Sequence, residues 1–452
     1  MIRKYEFQRN TYHFYNEDEL KYNENIYSII IGKNGTGKST MLSDIVTHLC
    51  RENENLFFKN SEIGFKEFHF SHIDVTDIPR NIIAVSSSPY DKFPLPRRLG
   101  DIDNYTYLGL RDLPSLNFGL SYMVKIIASL LESLMNTPYQ WNNLASVLNY
   151  LGYEDEIFGK FGMNFNRNSF EELEDTLMDQ FIGKRPMLRS INKRFFIDEF
   201  GDLNKDKFEH LRYLFHTKLE DIRLNRNVEF KLSSNGLDWL RPELFDLTLE
   251  DLLFLIHAGV IRLKDIALRK KDRGSVFSIS QSSSGEQSVI LSILGIASKI
   301  TNQSIICIDE PEICLHPEWQ EKYIQLLIST FSHFRKCHFI IATHSPQIIS
   351  NLNIHNCFVI SMEDASINNA NRFIKNSIDF QLANVFRSPG FRNEYLSRIA
   401  FTLFTKVGKN KKFDQEDLDN YQMLKSVYKL LDNTDPVKEL IAVVIELYRR
   451  YA

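Results

Sequence analysis

The chain has 452 residues, 43% of them hydrophobic and 25% charged, a globular balance that buries a large core without disulfide or metal support. A net charge of −4 and a pI of about 6.3 exclude the strongly basic footprint of a free-standing DNA-binding domain and leave only a local patch for nucleic acid. No apolar run has the length of a bilayer span and the first residues lack a signal-peptide core, so a soluble, cytoplasmic protein without membrane contact is expected.

Residues 1–31 alternate apolar and polar in places and end in the run IYSIII at 26–31, a strand pattern closing in a buried strand. The octapeptide GKNGTGKS follows at 32–39, and 40–49 has helical periodicity. The octapeptide matches G-x-x-x-x-G-K-[ST] in full and has the strand before it and helix after it that the motif requires. Its glycines, Gly32, Gly35 and Gly37, let the backbone curl so that N–H groups of Lys33, Asn34, Thr36 and the glycines face a phosphate. Lys38 brings a full charge to the β- and γ-phosphates, Ser39 a hydroxyl for Mg²⁺, and Thr40 continues into the helix whose N-terminus favours an anion. ATP with Mg²⁺ is the expected ligand.

Short strand-like runs occupy 56–88, the clearest being IIAV at 82–85, followed by SSSPYD at 86–91. From about 118 to 258 the periodicity turns helical, at 118–134, 140–151, 170–181, 207–219 and 242–258, without the sustained heptads of a coiled-coil arm. Strands return at 260–268, 276–279, 304–308 and 338–343. The remainder is mostly helical, and its last segment, 437–451, carries an apolar stripe at Leu440, Ile441, Val444 and Leu447 that core packing explains most simply. Cys50, Cys307, Cys314, Cys337 and Cys357 form no C-x-x-C pair, and their odd number and irregular spacing predict reduced thiols.

Three further runs carry chemistry. The apolar strand at 304–308 ends in Asp309 and Glu310, a Walker B pattern in which Asp309 would hold Mg²⁺ and Glu310 would take a proton from the attacking water. The strand at 338–343 ends in His344, placed to meet a γ-phosphate. Gln281, Ser282, Ser283, Ser284, Gly285, Glu286 and Gln287 precede an apolar helix; a serine hydroxyl, a free glycine N–H and a helix start favour an anion, and the plainer use of such serines is a helix cap.

The last run resembles the ABC signature in the form L-S-x-G-E found in structural-maintenance-of-chromosomes, RecF and related ATPases, with Ser282 in place of the leucine. That resemblance implies that Ser283, Ser284, Gly285 and Glu286 reach the ATP of a second chain, so that a homodimer or higher homo-oligomer completes each site, and that His344 is the switch histidine. The run DEPEICLHPEWQ at 309–320 resembles bacterial ABC-like ATPases related to the OLD family and sets the chain apart from transporters. It does not extend to a TOPRIM or HNH nuclease, so an ATPase yielding ADP and phosphate, with no nuclease on this chain, is expected. The glutamine that ABC proteins carry before their insertion is missing; Ser88 or Asp91 stands there, with a plain turn as the alternative.

The whole layout, including SPGFRNEYLSR at 388–398, resembles PtuA, the ATPase type of Septu anti-phage systems, retron-associated ones among them. This implies an α/β fold: an ABC-type P-loop head with a mixed sheet, in two halves at 1–115 and 259–360, a helical insertion at 116–258, and a helical C-terminal region at 361–452. It further implies an HNH nuclease partner of the PtuB kind and, in a retron setting, a reverse transcriptase and its DNA. Two other readings stay open: a RecF- or SMC-like ATPase acting directly on DNA, through basic clusters at 97–98, 269–273 and 406–412, and the ATPase of another defence system such as PARIS.

Overall fold

The structure is a computed structural model that describes residues 1–21, 23–59, 73–96, 104–111, 124, 126–132, 140–163, 192–197, 202, 204–219, 228–240, 247–272, 274–313, 315–350, 352, 355–373 and 376–451. Two compact units arise, one from Met1–Tyr107 with Thr301–Ala452, the other from Leu108–Ile300. The expected elements at 170–181 and the basic pair at 97–98 lie outside the described residues, as do Cys314, Arg273 and most of 118–134.

In the first unit the apolar runs pair in parallel. Strands β3 (Ile26–Ile31), β5 (Ile82–Ser86), β6 (Tyr105–Leu108), β12 (Ile305–Asp309), β13 (His338–Ala342), β14 (Cys357–Ser361) and β15 (Ile367–Asn369) form a seven-stranded sheet in the order β15-β14-β3-β13-β12-β5-β6. The pairs β14–β3, β3–β13, β13–β12 and β12–β5 are parallel, and β15 runs antiparallel to β14. Alternate residues such as Ile26, Ile30, Ile340, Ala342, Ile305 and Cys307 join one core cluster, while their neighbours Ile29, Ile341 and Ile306 are buried as well. Burial of both faces is why these strands read as continuous apolar runs.

One face packs on helix α1 (Lys38–Lys59) through Met41, Leu42, Ile45 and Val46, and on a small antiparallel sheet of β1 (Ile2–Phe7), β2 (Asn10–His13) and β4 (Ile73–Val75) through Tyr5, Phe7 and Tyr12. Two buried polar side chains join these layers. His338 Nδ1 accepts the Ile2 N–H at 3.1 Å, so its Nε2 carries the hydrogen and meets Ser28 Oγ at 2.8 Å, which donates to the Phe14 carbonyl at 2.6 Å. Burial holds His338 far below the usual imidazole range. Helix α6 (Pro317–Thr330) buries Tyr323 and Leu327, half-buries Trp319 and Leu326, and thus uses the stripe at Trp319, Tyr323, Leu326 and Leu327 for packing.

Helix α7 (Pro346–Ser350) follows β13; beyond β15 the C-terminal region is mostly helical, as expected, with α8 (Ile378–Asn384), α9 (Glu394–Asn410), α10 (Gln415–Val427) and α11 (Pro436–Tyr451). Val437, Ile441 and Val444 of α11 pack with Leu396, Leu403, Val407 and Leu424 in a separate core cluster. Ile441 is fully buried there, so Ile441→Ala is expected to cost about 2–5 kcal/mol of this subdomain's stability, measured by denaturant titration. A loss below about 0.5 kcal/mol would mean that the stripe does not pack as a core.

The second unit differs from the expected helical insertion. Helices α2 (Gln140–Tyr150), α3 (Lys205–Thr217) and α4 (Leu249–His257) are present, but β7 (Tyr153–Met163), β8 (Val228–Ser233) and β9 (Gly236–Trp239) lie among them. These strands form one antiparallel sheet with β10 (Ile261–Lys270) and β11 (Val276–Ser278), in the order β11-β10-β7-β8-β9. Pairing of Ile261 with Met163 and of Leu268 with Ile157 crosses the boundary expected at 258/259. The physical reason is Gly159: a Cβ there would lie 1.9 Å from the Phe230 ring, which stacks on Phe161 at 4.8 Å. Glycine in the middle of this run breaks the alternation while the fold needs it for close approach.

Candidate ATPase site

The parallel register brings the C-terminal ends of β3, β13, β12 and β5 to one edge, with Ile30 opposite Ala342, and Asp309 opposite both Ala342 and Ser86. Ligand sites of open α/β sheets form at such edges. The loop from Gly32 leaves β3 there and turns into α1. Gly35 and Gly37 have φ of +82° and +95°, the left-handed region that glycine enters freely. Lys33, Asn34 and Gly35 are exposed, Thr36, Gly37, Ser39 and Thr40 half-buried, and Gly32 buried. A Cβ on Gly32 would meet Thr36 Oγ1 at 2.8 Å and Met362 Cβ at 3.0 Å. Thr40 accepts a hydrogen bond from Lys92 Nζ at 2.7 Å.

Lys38 is 4% exposed and occupies the hollow of its own loop. Its ammonium donates to the Gly32 carbonyl at 2.9 Å and the Lys33 carbonyl at 3.3 Å, and lies 3.3 Å from His344 Nδ1. Desolvation lowers its pKa to about 8, against the raising effect of Glu310, Glu312 and Asp309. Ammonium has only donors, so Nδ1 of His344 accepts and Nε2 carries the hydrogen, 3.6 Å from Glu310 Oε1. Burial, and then the Lys38 charge, hold His344 down at about 4, so the ring is neutral at physiological pH.

Ser39 Oγ donates to Asp309 Oδ1 at 3.0 Å. Burial pushes the Asp309 carboxyl up to about 7; the Ser39 hydrogen bond opposes this, and Glu310, Asp91 and Glu312 add to it. A hydroxyl and a carboxylate oxygen at this spacing fit two adjacent corners of an Mg²⁺ octahedron, whose edge is about 2.9 Å for bonds near 2.05 Å. Glu310 follows in the left-handed region, φ +48°, with its N–H on the Ala342 carbonyl at 2.9 Å. A non-glycine residue held so is strained and aims its carboxylate out of the strand edge.

One site residue has no role in the sequence-based reading. Glu312 Oε1 accepts the His344 N–H at 2.5 Å, and its Oε2 is shut off from solvent; burial raises the carboxyl pKa, and the His344 N–H opposes this. Its sequence signal is its place as the fourth residue of the run DEPEICLHPEWQ at 309–320, a place to which that reading attaches no role. Asp91, by contrast, is engaged locally: Oδ2 accepts from Tyr107 OH at 2.6 Å and Oδ1 from Phe93 N at 3.1 Å, while Ser86 Oγ accepts from Ser88 N and Ser88 Oγ from Tyr90 N.

The tail segment at 388–398 is a loop and the start of α9, held by Asn393 Nδ2 on the Pro389 carbonyl at 2.9 Å and by Glu394 N on Asp379 Oδ2 at 2.7 Å. It lines a cavity of about 280 Å³ together with Lys33 of the phosphate loop, Arg387, Leu430 and Asp432. Of the basic clusters, Lys406 is held by Asp414 at 2.6 Å and Asp417 at 2.8 Å. Arg269 lies over Phe158 and 3.7 Å from Glu156, and Lys270 lies over Phe277.

In the second unit the signature run leads into α5 (Ser284–Lys299). Ser283 is its N-cap, its hydroxyl accepting Glu286 N at 3.2 Å; Ser283 and Ser284 are exposed, Gly285 is buried and Glu286 half-buried. The hydroxyl therefore performs the capping role and still faces solvent at the start of a 16-residue helix.

Residues 155–349 match the family described as AAA ATPase domain, a span that contains the signature run, Asp309, Glu310 and His344. The probable ATPase of retron Vc95, from Vibrio cholerae serotype O1 biovar El Tor, is 23% identical over 448 residues, 89% of this chain and 82% of that protein. The probable ATPase of retron Ec83, from Escherichia coli, is 29% identical over 130 residues, 25% of this chain and 23% of that protein. The crystal structure of Stu0660 of Streptococcus thermophilus covers 97% of this chain and 94% of its own at 10% identity and a TM-score of 0.30, too loose a likeness to bear on fold or function. No helix among the described residues is long and apolar enough to cross a membrane. The chain is thus a mixed α/β protein with a P-loop ATPase domain and a helical C-terminal region, distantly related to the probable ATPases of retrons.

Proposed function

We propose that the chain is an ABC-type ATPase subunit of an anti-phage defence complex, which binds ATP with Mg²⁺, hydrolyses it to ADP and phosphate, and uses ATP-dependent pairing of its heads to control a partner nuclease. The observation that carries the ATPase part is the convergence of Ser39 with Asp309, and of Lys38 with His344 and Glu310, at one sheet edge. The curated relatives' retron association and the resemblance to Septu ATPases support the defence setting.

In this reading the glycine loop and the start of α1 hold the phosphates, and Lys38 leaves its own carbonyls to pair with the β- and γ-phosphate oxygens. Ser39 and Asp309 hold Mg²⁺, which when bound neutralises charge on those oxygens. Glu310 orients the attacking water and accepts its proton. His344, neutral with its N–H on Nε2, sits between Lys38 and Glu310, where it registers the presence of the γ-phosphate. With one phosphate loop and one signature per chain, the exposed start of α5 serves the site of a second copy. Loss of the γ-phosphate then removes the binding difference that favours the paired state.

Steady-state ATP turnover by the purified chain tests the ATPase part; no hydrolysis above background, with or without its genomic neighbour, would overturn it. Ser283→Arg is expected to spare ATP affinity and to lower turnover at least about 10-fold, because a long cation replaces the hydroxyl and cap at the surface that meets the other copy's nucleotide. An unchanged rate would refute the across-the-dimer site. Co-purification with the product of the neighbouring gene tests for the HNH nuclease and, in a retron setting, for the reverse transcriptase and its DNA. Direct action on DNA predicts instead a steep fall of DNA affinity with salt in a gel shift. Lys406 and Arg269 are engaged within the fold, whereas Lys271, Lys409, Lys411 and Lys412 are exposed, so the salt dependence decides between the two readings.

A further inference from the structure

We infer that Glu312 is a positioning residue that fixes His344 between Lys38 and Glu310 by holding the histidine's backbone N–H. The inference rests on the ATPase reading above and adds a residue to which that reading gives no task. Three contacts pin the loop that leaves β13. Thr343 N donates to the Ile30 carbonyl at 3.1 Å, Ser345 N to Thr343 Oγ1 at 3.0 Å, and Ser345 Oγ to Gln320 Oε1 at 2.7 Å. The amide between them, that of His344, is turned to Glu312 Oε1 at 2.5 Å rather than to a backbone carbonyl. Asp309, Glu310 and Glu312 leave the end of β12 on one short turn, so the contact joins the carboxylates at that edge to the histidine at the end of β13.

A carboxylate is a costly choice for this work. A carbonyl or a serine hydroxyl would satisfy an amide, whereas burial penalises a carboxylate here and pushes the Glu312 pKa above its usual range. What the carboxylate adds is a short bond, strengthened by charge when it is ionised, that resists displacement when the triphosphate arrives. The imidazole is 3.3 Å from Lys38 Nζ and 3.6 Å from Glu310 Oε1, so a displacement of the loop by about 1 Å would break the first contact and carry the ring out of reach of Glu310.

The test compares Glu312→Ala, Glu312→Gln, His344→Ala and the double variant Glu312→Ala/His344→Ala in full-length protein. Glu312→Ala is expected to lower kcat about 10- to 100-fold with KM within about 3-fold, the usual scale for a residue that orients another. Glu312→Gln, which keeps an acceptor oxygen, should recover most of the loss. The double variant should be no slower than His344→Ala alone. Effects that multiply, or a Glu312→Ala enzyme with wild-type kcat, would overturn the inference while leaving the ATPase reading intact. Should wild-type protein hydrolyse no ATP, the ATPase reading fails and the geometry is still decided by NMR. The His344 amide proton should move upfield in Glu312→Gln as its acceptor loses charge, and unchanged His344 amide and ring resonances would overturn it. The same resonances decide the matter if Glu312→Ala does not fold.

Discussion

Replacing Lys38 by alanine is expected to weaken ATP binding at least about 100-fold without destabilising the nucleotide-free protein. The affinity loss follows from two charge-assisted hydrogen bonds to phosphate oxygens, each worth about 1.5–3 kcal/mol, which together correspond to two or more powers of ten. The stability prediction follows from the burial of the ammonium. Lys38 falls from 10.5 to about 8, so at neutral pH its charged form costs the fold on the order of 3 kcal/mol relative to an exposed lysine. The Lys33 carbonyl it bonds lies in an exposed part of the loop, where water replaces the ammonium. The sign follows from linkage: between about 8 and 10.5 the unfolded chain binds a proton that the folded chain does not, so wild-type stability gains a rising contribution with pH in that window. Lys38→Ala lacks that contribution, and the difference between the two proteins isolates it from every other titrating group. Calorimetric titration with ATP and denaturant titrations at pH 7 and pH 10 measure both effects. Affinity within about 3-fold of wild type would remove Lys38 from the phosphate site.

The same lysine illustrates which parts of the site are legible in sequence. The loop at 32–39, Asp309, Glu310 and His344 each announce themselves because their chemistry needs a fixed residue type directly after an apolar run, and β3, β12 and β13 are apolar on both faces. Parallel pairing then brings the three strand ends together without further instruction. Glu312 is illegible in that way: its partner lies 32 residues along the chain and is a backbone amide, which has no residue signature. The strands of the second unit are hidden for another reason. In β7, charged residues at 154–156 and glycines at 159 and 162 interrupt the period-two pattern, yet Gly159 is there to admit the Phe230 ring. Helical stretches on either side, at α2 and α3, then lend their periodicity to the whole region. The signature serines were ambiguous between cap and phosphate donor, and Ser283 does cap α5 while its exposure leaves the second role open to test.

Glu310→Gln is expected to leave ATP affinity unchanged or slightly higher and to lower the hydrolysis rate about 10²- to 10⁴-fold, the range for removal of a general base. The two effects separate because Glu310 is absent from the contacts that hold nucleotide. Lys38 keeps its loop, Ser39 keeps Asp309, and the amide is close enough in size to preserve the left-handed turn and the Glu310 N–H bond to the Ala342 carbonyl. What changes is charge. Glu310 raises the pKa of both Lys38 and Asp309, so its neutral replacement leaves a less negative pocket for a triphosphate and a more readily ionised Asp309 for Mg²⁺. An amide cannot accept the proton of the attacking water at neutral pH, so ATP stays bound and paired heads accumulate. Single-turnover hydrolysis, ATP titration and size-exclusion chromatography in ATP read the three consequences separately. Turnover within about 3-fold of wild type would assign proton acceptance to another group, whereas loss of ATP binding would mean that the strained turn at Glu310 had collapsed and carried the loop with it.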